Sequence, residues 1–284
     1  MRLVLICIAA GALAGSAGCG GAPAPAGGSG KASVVASFYP LAFAAEQIGG
    51  SRVTVTNLTP PGSEPHDLEV SPSDVAEIRA ANLVLLLGRD FQPQLEEAAG
   101  DGENVLRLLD TPGLALRSNG DPHVWLDPLR FATLVSRIGE ALGNETAAGR
   151  LVDRLGALDR EYRRGLSACE RHDLVTSHEA FGYLAERYAL REVPITGLSP
   201  EAEPEPSKVQ QVVDLVRERG VTTIYFETLV SPRIAETVAR ETGATTAVLN
   251  PIEGLTEAEV AHGNDYFSLM RENLRALQRG LGCR

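Results

Sequence analysis

The sequence predicts an α/β protein of two βα lobes, each with a parallel sheet, joined by one long helix. Strand-like and helix-like segments alternate from residue 32 to about residue 99, a long helix-favouring stretch follows, and the alternation resumes at residue 173. Such alternation is typical of parallel strands with crossover helices. We therefore place the N-terminal lobe at 32–143, the linking helix at 144–169 and the C-terminal lobe at 170–284.

The N-terminal lobe is predicted from short apolar runs that alternate with helix-favouring runs. Gly49 and Gly50 end the first helix, because glycine favours the backbone conformation that terminates helices. Strands are predicted at 33–37, 52–58 and 83–87, and helices at about 38–48, 72–81 and 91–99.

The linking helix is predicted from Glu145 to Ser167, where the sequence is charged and favours helix. Gly143 and Asn144 interrupt the helical pattern before it, and Asn144 can cap the new helix. Apolar residues at spacings of three and four form a single stripe on an otherwise solvated helix. They are Leu151, Leu155, Leu158, Tyr162 and Leu166. A helix with one such stripe is predicted to join two lobes.

The C-terminal lobe repeats the βα pattern of the first lobe. Gly220 and Gly243 end two of its predicted helices. Strands are predicted at 173–177, 192–196, 222–226 and 245–249, and helices at 180–187, 207–219, 231–242 and 265–281.

Residues 1–18 have the pattern of a signal peptide, with Met1-Arg2 before an apolar run too short to span a membrane as a mature helix. Residues 16–19 resemble a bacterial lipobox, which would attach lipid to Cys19; plain secretion is the alternative. Residues 19–31, rich in Gly, Ala, Pro and Ser, predict a flexible tether. The mature protein is therefore expected to be extracytoplasmic, either lipid-anchored to the cell membrane or periplasmic.

The charge balance argues against a nucleic-acid partner. The chain has 37 Asp and Glu residues against 26 Lys and Arg, and its formal net charge is -11. This excess repels nucleic acid and raises the local concentration of cations.

Two cysteines, Cys169 and Cys283, remain once Cys7 in the signal and Cys19 are set aside. In an oxidising compartment they are candidates for a disulfide that holds the last helix. Two free thiols are equally compatible with the sequence.

Three of the five histidines stand at turns beside acidic residues, a pattern that indicates metal ligands. They are His66, His123 and His178. Imidazole binds borderline metals such as Zn²⁺, and three imidazoles leave one tetrahedral position for an oxygen ligand. The other two, His172 and His262, lack such settings and are expected to be in solvent.

Each of the three histidines has a setting that suits a ligand. His66 ends a proline-rich loop after a predicted strand, where the ligand crevice of a parallel sheet lies. His123 lies between two prolines, and either Asp121 or Asp127 could hold its second ring nitrogen. His178 ends a strand and precedes a helix, whose N-terminal field keeps the imidazole neutral.

The fourth ligand is expected from the second lobe, so that each lobe supplies two. Glu227, Glu253 and Asn250 all stand at predicted strand ends. A neutral amide oxygen binds Zn²⁺ far more weakly than a carboxylate does, which ranks both glutamates above Asn250.

Five ordered segments carry a resemblance to a known family. They are 65–72 (PHDLEVSP), 123–128 (HVWLDP), 177–188 (SHEAFGYLAERY), 226–227 (FE) and 250–256 (NPIEGLT). With these, the chain resembles the zinc- and manganese-binding solute-binding lipoproteins of bacterial ABC transporters, the adhesin-type metal receptors, over almost all of its mature length. The resemblance implies two βα lobes bridged by one rigid helix, with the metal in the cleft between the lobes.

The resemblance also bears on the metal and on the fourth ligand. His66, His123 and His178 match the first three ligands, and His178 stands where manganese receptors usually have Glu, which points to Zn²⁺ rather than Mn²⁺. Many members have Asp as the fourth ligand, where this chain has Asn250. A zinc-binding branch with a similar loop uses its Glu, which corresponds to Glu253, and the resemblance therefore implies Glu253 as the fourth ligand.

The expected function is therefore that of an extracytoplasmic, high-affinity zinc receptor, monomeric and not an enzyme, which delivers Zn²⁺ to the membrane permease of an ABC transporter. One alternative is a zinc hydrolase or lyase with three histidine ligands, an open water position and Glu227 or Glu179 as base. The sequence lacks the His-Glu-x-x-His and Gly-x-Ser-x-Gly motifs that such enzymes often carry. A surface adhesin is a third possibility, and it is compatible with metal capture.

Overall fold

A computed structural model describes residues 30–284 of the chain, so the expected signal peptide, Cys19 and most of the tether lie outside the described residues. The N-terminal lobe contains β1 (Ala32–Ala36), α1 (Tyr39–Gly49), β2 (Val53–Asn57), α2 (Pro72–Ala80), β3 (Leu83–Leu86), α3 (Pro93–Ala99) and β4 (Val105–Arg107). Its four strands are parallel, in the order β2-β1-β3-β4.

Two long helices follow, α4 (Pro128–Ala141) and α5 (Glu145–Gly165). The predicted linking helix forms as α5, and its apolar stripe is buried. Asn144 occupies the N-cap position of α5, but its side chain does not cap the helix as predicted. The Asn144 amide instead donates to the carbonyl of Ile48 and ties the start of α5 to the end of α1.

The C-terminal lobe contains β5 (Asp173–Thr176), α6 (Gly182–Arg187), β6 (Arg191–Pro194), α7 (Pro206–Arg219), β7 (Thr223–Phe226), α8 (Arg233–Thr242), β8 (Thr245–Val248), α9 (Glu257–Ala261) and α10 (Tyr266–Leu281). Its strands form a second parallel sheet in the order β6-β5-β7-β8. The predicted two-lobe α/β fold is confirmed.

Among the strands and α-helices of the described residues, two were not predicted. The strand β4 is only three residues long, which is too short to show an apolar pattern, and none of its residues is fully buried. The short helix α9 begins with a capping box, in which the Thr256 hydroxyl accepts from the Glu259 backbone while the Glu259 carboxylate accepts from the Thr256 backbone. Thr-x-x-Glu is a known helix-start pattern, so α9 was recognisable.

A single apolar core runs through both lobes. It contains residues of α1, α4, α5 and α10 together with residues from both sheets, among them Trp125, Tyr162 and Tyr225. Smaller clusters lie on the outer side of each sheet. Because both lobes bury side chains in one core, large separations of the lobes would expose apolar surface.

Cys169 and Cys283 form a disulfide, which settles the alternative that the sequence left open. The bond joins the segment after α5 to the end of α10. Within residues 30–284, no helix is both long enough and apolar enough to cross a membrane.

Candidate metal centre

The three histidines and Glu253 meet between the two lobes. His66 lies in the loop after β2, His178 follows β5, and Glu253 lies in the loop after β8. His123 lies just before the short 3-10 turn that leads into α4. Three of the four residues thus follow the C-terminal ends of parallel strands, where ligands bind in open α/β sheets.

We call these four residues the quartet. One nitrogen from each imidazole and a carboxylate oxygen of Glu253 all lie within 4.8 Å of one another. Glu253 Oε1 lies 2.9 Å from Nε2 of His123, 3.4 Å from Nε2 of His66 and 3.7 Å from Nε2 of His178. Nε2 of His123 and Nε2 of His178 are 3.4 Å apart.

These separations match a tetrahedral metal site. With metal–ligand bonds of about 2.0–2.1 Å, two ligand atoms of a tetrahedral Zn²⁺ ion lie about 3.3 Å apart. Of the four separations, two are 3.4 Å, one is 2.9 Å and one is 3.7 Å, so all of them lie near that value. Small side-chain movements are sufficient to fit one ion.

Carboxylates hold the far nitrogens of two imidazoles. Nδ1 of His123 donates to Oδ1 of Asp121 over 2.8 Å, and Nδ1 of His178 donates to Oε1 of Glu227 over 2.6 Å. Because a carboxylate can only accept, Nδ1 of each ring carries a proton, and Nε2 is the nitrogen left to bind a metal once any proton on it has been displaced. This is the arrangement that orients metal-binding histidines.

The other candidates for the fourth position serve different purposes. Glu227 is 3% exposed and bonds to the far side of His178, away from the quartet. The Asn250 side chain accepts from the backbone of Ile252 and donates to Glu259. Asn250 therefore shapes the loop that carries Glu253. Asp127, the other candidate partner for His123, caps α4 instead.

The loop that carries Glu253 has a constrained backbone. Ile252 has a φ of 58°, a left-handed conformation that is rare and costly for a β-branched residue. The indole of Trp125 donates to the carbonyl of Pro251 over 2.7 Å, and the Asn273 amide donates to the carbonyl of Asn250 over 2.6 Å. These bonds compensate the strain and direct Glu253 into the cleft.

His66 is the most accessible member of the quartet. Its side chain is 14% exposed, whereas those of His123 and Glu253 are at most 1% exposed. The ring packs edge-on against Phe91, with the centroids 4.7 Å apart. The buried amide of Gln92 donates to the carbonyl of Pro65 over 3.2 Å and so holds the His66 loop.

The charges of the quartet are strongly coupled. Burial raises the pKa of Glu253, but its hydrogen bonds to the three histidines outweigh burial and hold that pKa well below its ordinary value. Burial lowers the pKa of His123, but Asp121 and Glu253 reverse the effect and raise it above the ordinary value. In the metal-free protein, protons on imidazole nitrogens thus balance the buried carboxylate.

Glu64 is a nearby acidic residue in the proline-rich loop that ends at His66. Its Oε2 accepts from the backbone of His66 over 2.9 Å, and its buried Oε1 has no hydrogen-bond partner among the described residues. Burial, together with the charge of Glu253, raises the pKa of Glu64 to about 9. In the sequence, an acidic residue two positions before a candidate ligand was the signal that could have indicated this contact.

The remaining histidines, His172 and His262, are exposed and do not belong to the quartet. A cavity of about 810 Å³ lies elsewhere, between α7 and α8, and no quartet residue lines it. A single ion needs no such volume.

The chain thus consists of two parallel βα lobes with a cluster of three histidines and one glutamate between them. A profile of the family described as "Zinc-uptake complex component A periplasmic" matches residues 34–280. The chain belongs to this family.

Several known proteins are similar to the chain. The zinc-binding lipoprotein AdcA of Streptococcus pneumoniae is 34% identical in an alignment 280 residues long, which covers 88% of this chain and 56% of AdcA. The high-affinity zinc uptake system protein ZnuA of Bacillus subtilis is 33% identical in an alignment 281 residues long, which covers 88% of each chain. This chain thus spans about half the length of AdcA.

The fold is also similar to that of solved structures. The laminin-binding protein Lmb of Streptococcus agalactiae, described as bifunctional with adhesin and metal-transporting activity, superimposes with a TM-score of 0.80 at 30% identity. The alignment covers 88% of this chain and 99% of Lmb.

Proposed function

We propose that this protein is a high-affinity receptor that captures Zn²⁺ outside the cytoplasm and delivers it to the membrane permease of an ABC transporter. The observation that carries the proposal is the convergence of four ligand atoms within 4.8 Å of one another. The family match and the zinc-binding relatives support the same conclusion.

In this proposal His66, His123, His178 and Glu253 coordinate the ion. Three imidazoles and one carboxylate fill a tetrahedral shell, which leaves no position for a reactive water. A closed shell suits capture and delivery, whereas a zinc hydrolase keeps one position open. The protein therefore acts as a receptor and not as an enzyme.

Zn²⁺ is the preferred cargo over Mn²⁺. Imidazole nitrogen suits Zn²⁺, while Mn²⁺ favours carboxylate and water oxygens in octahedral sites. The quartet offers three nitrogens and one carboxylate, and its spacing fits four ligands rather than six.

The proposed location follows from the N-terminal sequence. Cleavage before Cys19 and lipidation of that residue would anchor a monomeric receptor to the membrane, with residues 19–31 as the tether. This arrangement would hold the receptor within reach of its permease.

Native mass spectrometry of the metal-free chain lacking residues 1–18, mixed with one equivalent of Zn²⁺, tests the proposal. We expect one tightly held ion per chain. His178→Ala should abolish tight binding, and His262→Ala, the control at an exposed histidine, should leave it unchanged. A wild-type chain that gains no zinc at equal concentration would overturn the proposed function.

A further inference from the structure

A short segment of the N-terminal lobe that ends at His123 lies against residues of the C-terminal lobe that follow His178. The backbone N–H of Arg117 donates to the hydroxyl of Tyr183 over 3.0 Å, and that hydroxyl donates to the carbonyl of Asp121 over 3.0 Å. One side chain of α6 thus binds both ends of the segment.

A second contact reinforces the first. The amide of Asn119, within the same segment, donates to Oε1 of Glu179 over 2.8 Å. Glu179 is the residue directly after His178, so the segments that carry two quartet members are linked to each other outside the quartet.

Arg117 is connected to His123 through Asp121. Nη1 of Arg117 donates to Oδ2 of Asp121 over 2.8 Å. Oδ1 of Asp121 accepts from the backbone N–H of His123 over 2.9 Å and from its Nδ1 over 2.8 Å. The Asp121 side chain is 0% exposed, and both of its oxygens are occupied.

Gly182, the first residue of α6, makes room for this chain of contacts. A Cβ atom at Gly182 would overlap the guanidinium of Arg117 and would lie 2.6 Å from Oδ2 of Asp121. Gly182 is not among the glycines with positive φ, so backbone conformation does not require glycine there. Space for the Arg117–Asp121 pair is the physical reason for glycine.

We propose that Arg117, seated against Gly182, is a positioning residue that fixes His123 relative to His178 across the boundary between the lobes. The inference rests on the proposed function. Nε2 of His123 and Nε2 of His178 stand 3.4 Å apart, near the spacing that one tetrahedral ion requires. The Arg117–Asp121 pair and the Tyr183 hydroxyl maintain this spacing before the metal arrives.

Loss of the arginine has a defined physical consequence. Without Arg117, Oδ2 of Asp121 is a buried carboxylate oxygen without a partner, which is costly. The Asp121 side chain turns to find a new partner and releases Nδ1 of His123. The imidazole then samples orientations that do not suit the ion.

The test compares Arg117→Ala, Gly182→Ala and the double variant. Each single change should weaken Zn²⁺ binding about ten- to a hundredfold, the usual effect of removing a group that orients a metal ligand. The double variant should bind about as well as Arg117→Ala alone, because the methyl group added at position 182 then occupies the space that the guanidinium has left. Zn²⁺ affinity is measured by competition with a chelator.

Two matched controls separate this effect from general damage. Gly149→Ala adds a methyl group in α5 where no atom lies within 4 Å. Arg137→Ala removes an exposed arginine that pairs with Glu140 within one helix. Both controls should keep the wild-type affinity.

Cobalt provides a readout that a purely structural role would not change. Co²⁺ bound to the wild type should show the intense visible bands of a tetrahedral site, while Arg117→Ala and Gly182→Ala should show weaker, shifted bands at saturating Co²⁺. Unfolding in urea checks that the variants fold.

The inference is overturned if both single variants are folded, bind Zn²⁺ as tightly as the wild type and keep the wild-type Co²⁺ spectrum. It is also overturned if their effects multiply in the double variant. Failure of the proposed function would be distinguished by a wild-type chain that itself binds no zinc.

Discussion

At the scale of single residues, the role of each buried carboxylate in the candidate metal centre depends on which nitrogen of an imidazole it contacts. Nδ1 of His123 and Nδ1 of His178 each donate to a buried carboxylate. A carboxylate beside a ligating imidazole increases its basicity and restricts its rotation. Glu227 and Glu253 therefore have different predicted functions although both are buried glutamates at strand ends.

Substitution of these glutamates should distinguish a ligand from a supporting residue. Glu253→Gln should weaken Zn²⁺ binding by more than about a hundredfold, because a neutral amide oxygen is a poor ligand. Glu227→Gln should cost about ten- to a hundredfold, since His178 remains but is less well held. Calorimetric titration measures both.

Glu218→Gln is the control for these variants, because Glu218 is exposed and lies at the end of α7, before β7 begins, whereas the quartet lies beyond the C-terminal ends of the strands. If Glu227→Gln weakens binding more than Glu253→Gln does, the assignment of the two residues must be exchanged.

Affinity for Zn²⁺ should rise with pH through the neutral range. Burial lowers the pKa of His178, but the charge of Glu227 and the hydrogen bonds to Glu227 and Glu253 raise it well above the ordinary 6.5. The expectation that the following helix keeps this imidazole neutral was therefore wrong, because the two carboxylates outweigh the helix field. The pKa of His123 is raised by Asp121 and Glu253 in the same way. Both imidazoles thus bind protons more tightly than free histidine does, and Zn²⁺ must displace those protons.

The free energy of unfolding of the metal-free protein should fall as pH rises, which is opposite to the trend expected for zinc affinity. A histidine whose pKa is higher in the folded protein than in the unfolded chain stabilises the fold. This stabilisation is fully present below the pKa of the unfolded state and is lost as pH rises through the pKa of the folded state. Chelator competition and urea unfolding, both measured between about pH 5.5 and 8.5, check the two trends. Zinc affinity that is independent of pH over this range would contradict the prediction.

At the scale of secondary structure elements, the local sequence positions the loops by starting and ending the helices. The Ser71 hydroxyl accepts from the backbone N–H of Asp74, and the Asp74 carboxylate accepts from the backbone N–H of Ser71. This capping box begins α2 directly after the loop that carries His66. The cap thus marks the end of that loop.

Removal of the cap should destabilise the protein without changing the metal site. Ser71→Ala should lower the free energy of unfolding by about 1 kcal/mol, because a helix N–H loses its acceptor. Urea unfolding of the metal-free protein measures the change. The control is Ser207→Ala at an exposed position in the first turn of α7. Equal losses in both variants would exclude a specific effect of the cap.

At the scale of the whole molecule, the core and the disulfide limit how far the lobes can move. The main apolar core includes side chains of both sheets and of the helices between them. The Cys169–Cys283 disulfide ties the region before β5 to the end of α10, across a sequence separation of 114 residues. Metal release by small movements of loops is therefore more compatible with this fold than wide opening of the lobes.

The disulfide should contribute to stability but not to zinc binding. In Cys169→Ser/Cys283→Ser, we expect the free energy of unfolding to fall by about 2–4 kcal/mol, as is typical when a bond that closes a long loop is lost. Cys169 precedes the N-terminal end of β5, whereas the quartet lies beyond the C-terminal ends of the strands. Urea unfolding and zinc titration test both parts, and weaker zinc binding in the folded variant would contradict this separation.

Much of the architecture was predictable because it depends on local patterns. The alternation of strands and helices and the apolar stripe of α5 are properties of neighbouring residues. The three-residue strand β4 was missed because its pairing with β3, rather than its own sequence, makes it a strand.

The sequence by itself determined the α/β class, the linking helix and the three histidines, since periodicity and turn residues act over a few positions. Ligand chemistry ranked Glu227 and Glu253 above Asn250 but could not choose between the two glutamates, because each stands at a strand end; the family resemblance alone favoured Glu253. Only the tertiary structure brought Glu253 to His123, from 130 positions away, and turned Glu227 to the far side of His178. The physical reason is that chain folding, and not local preference, determines which strand ends face one another across the cleft.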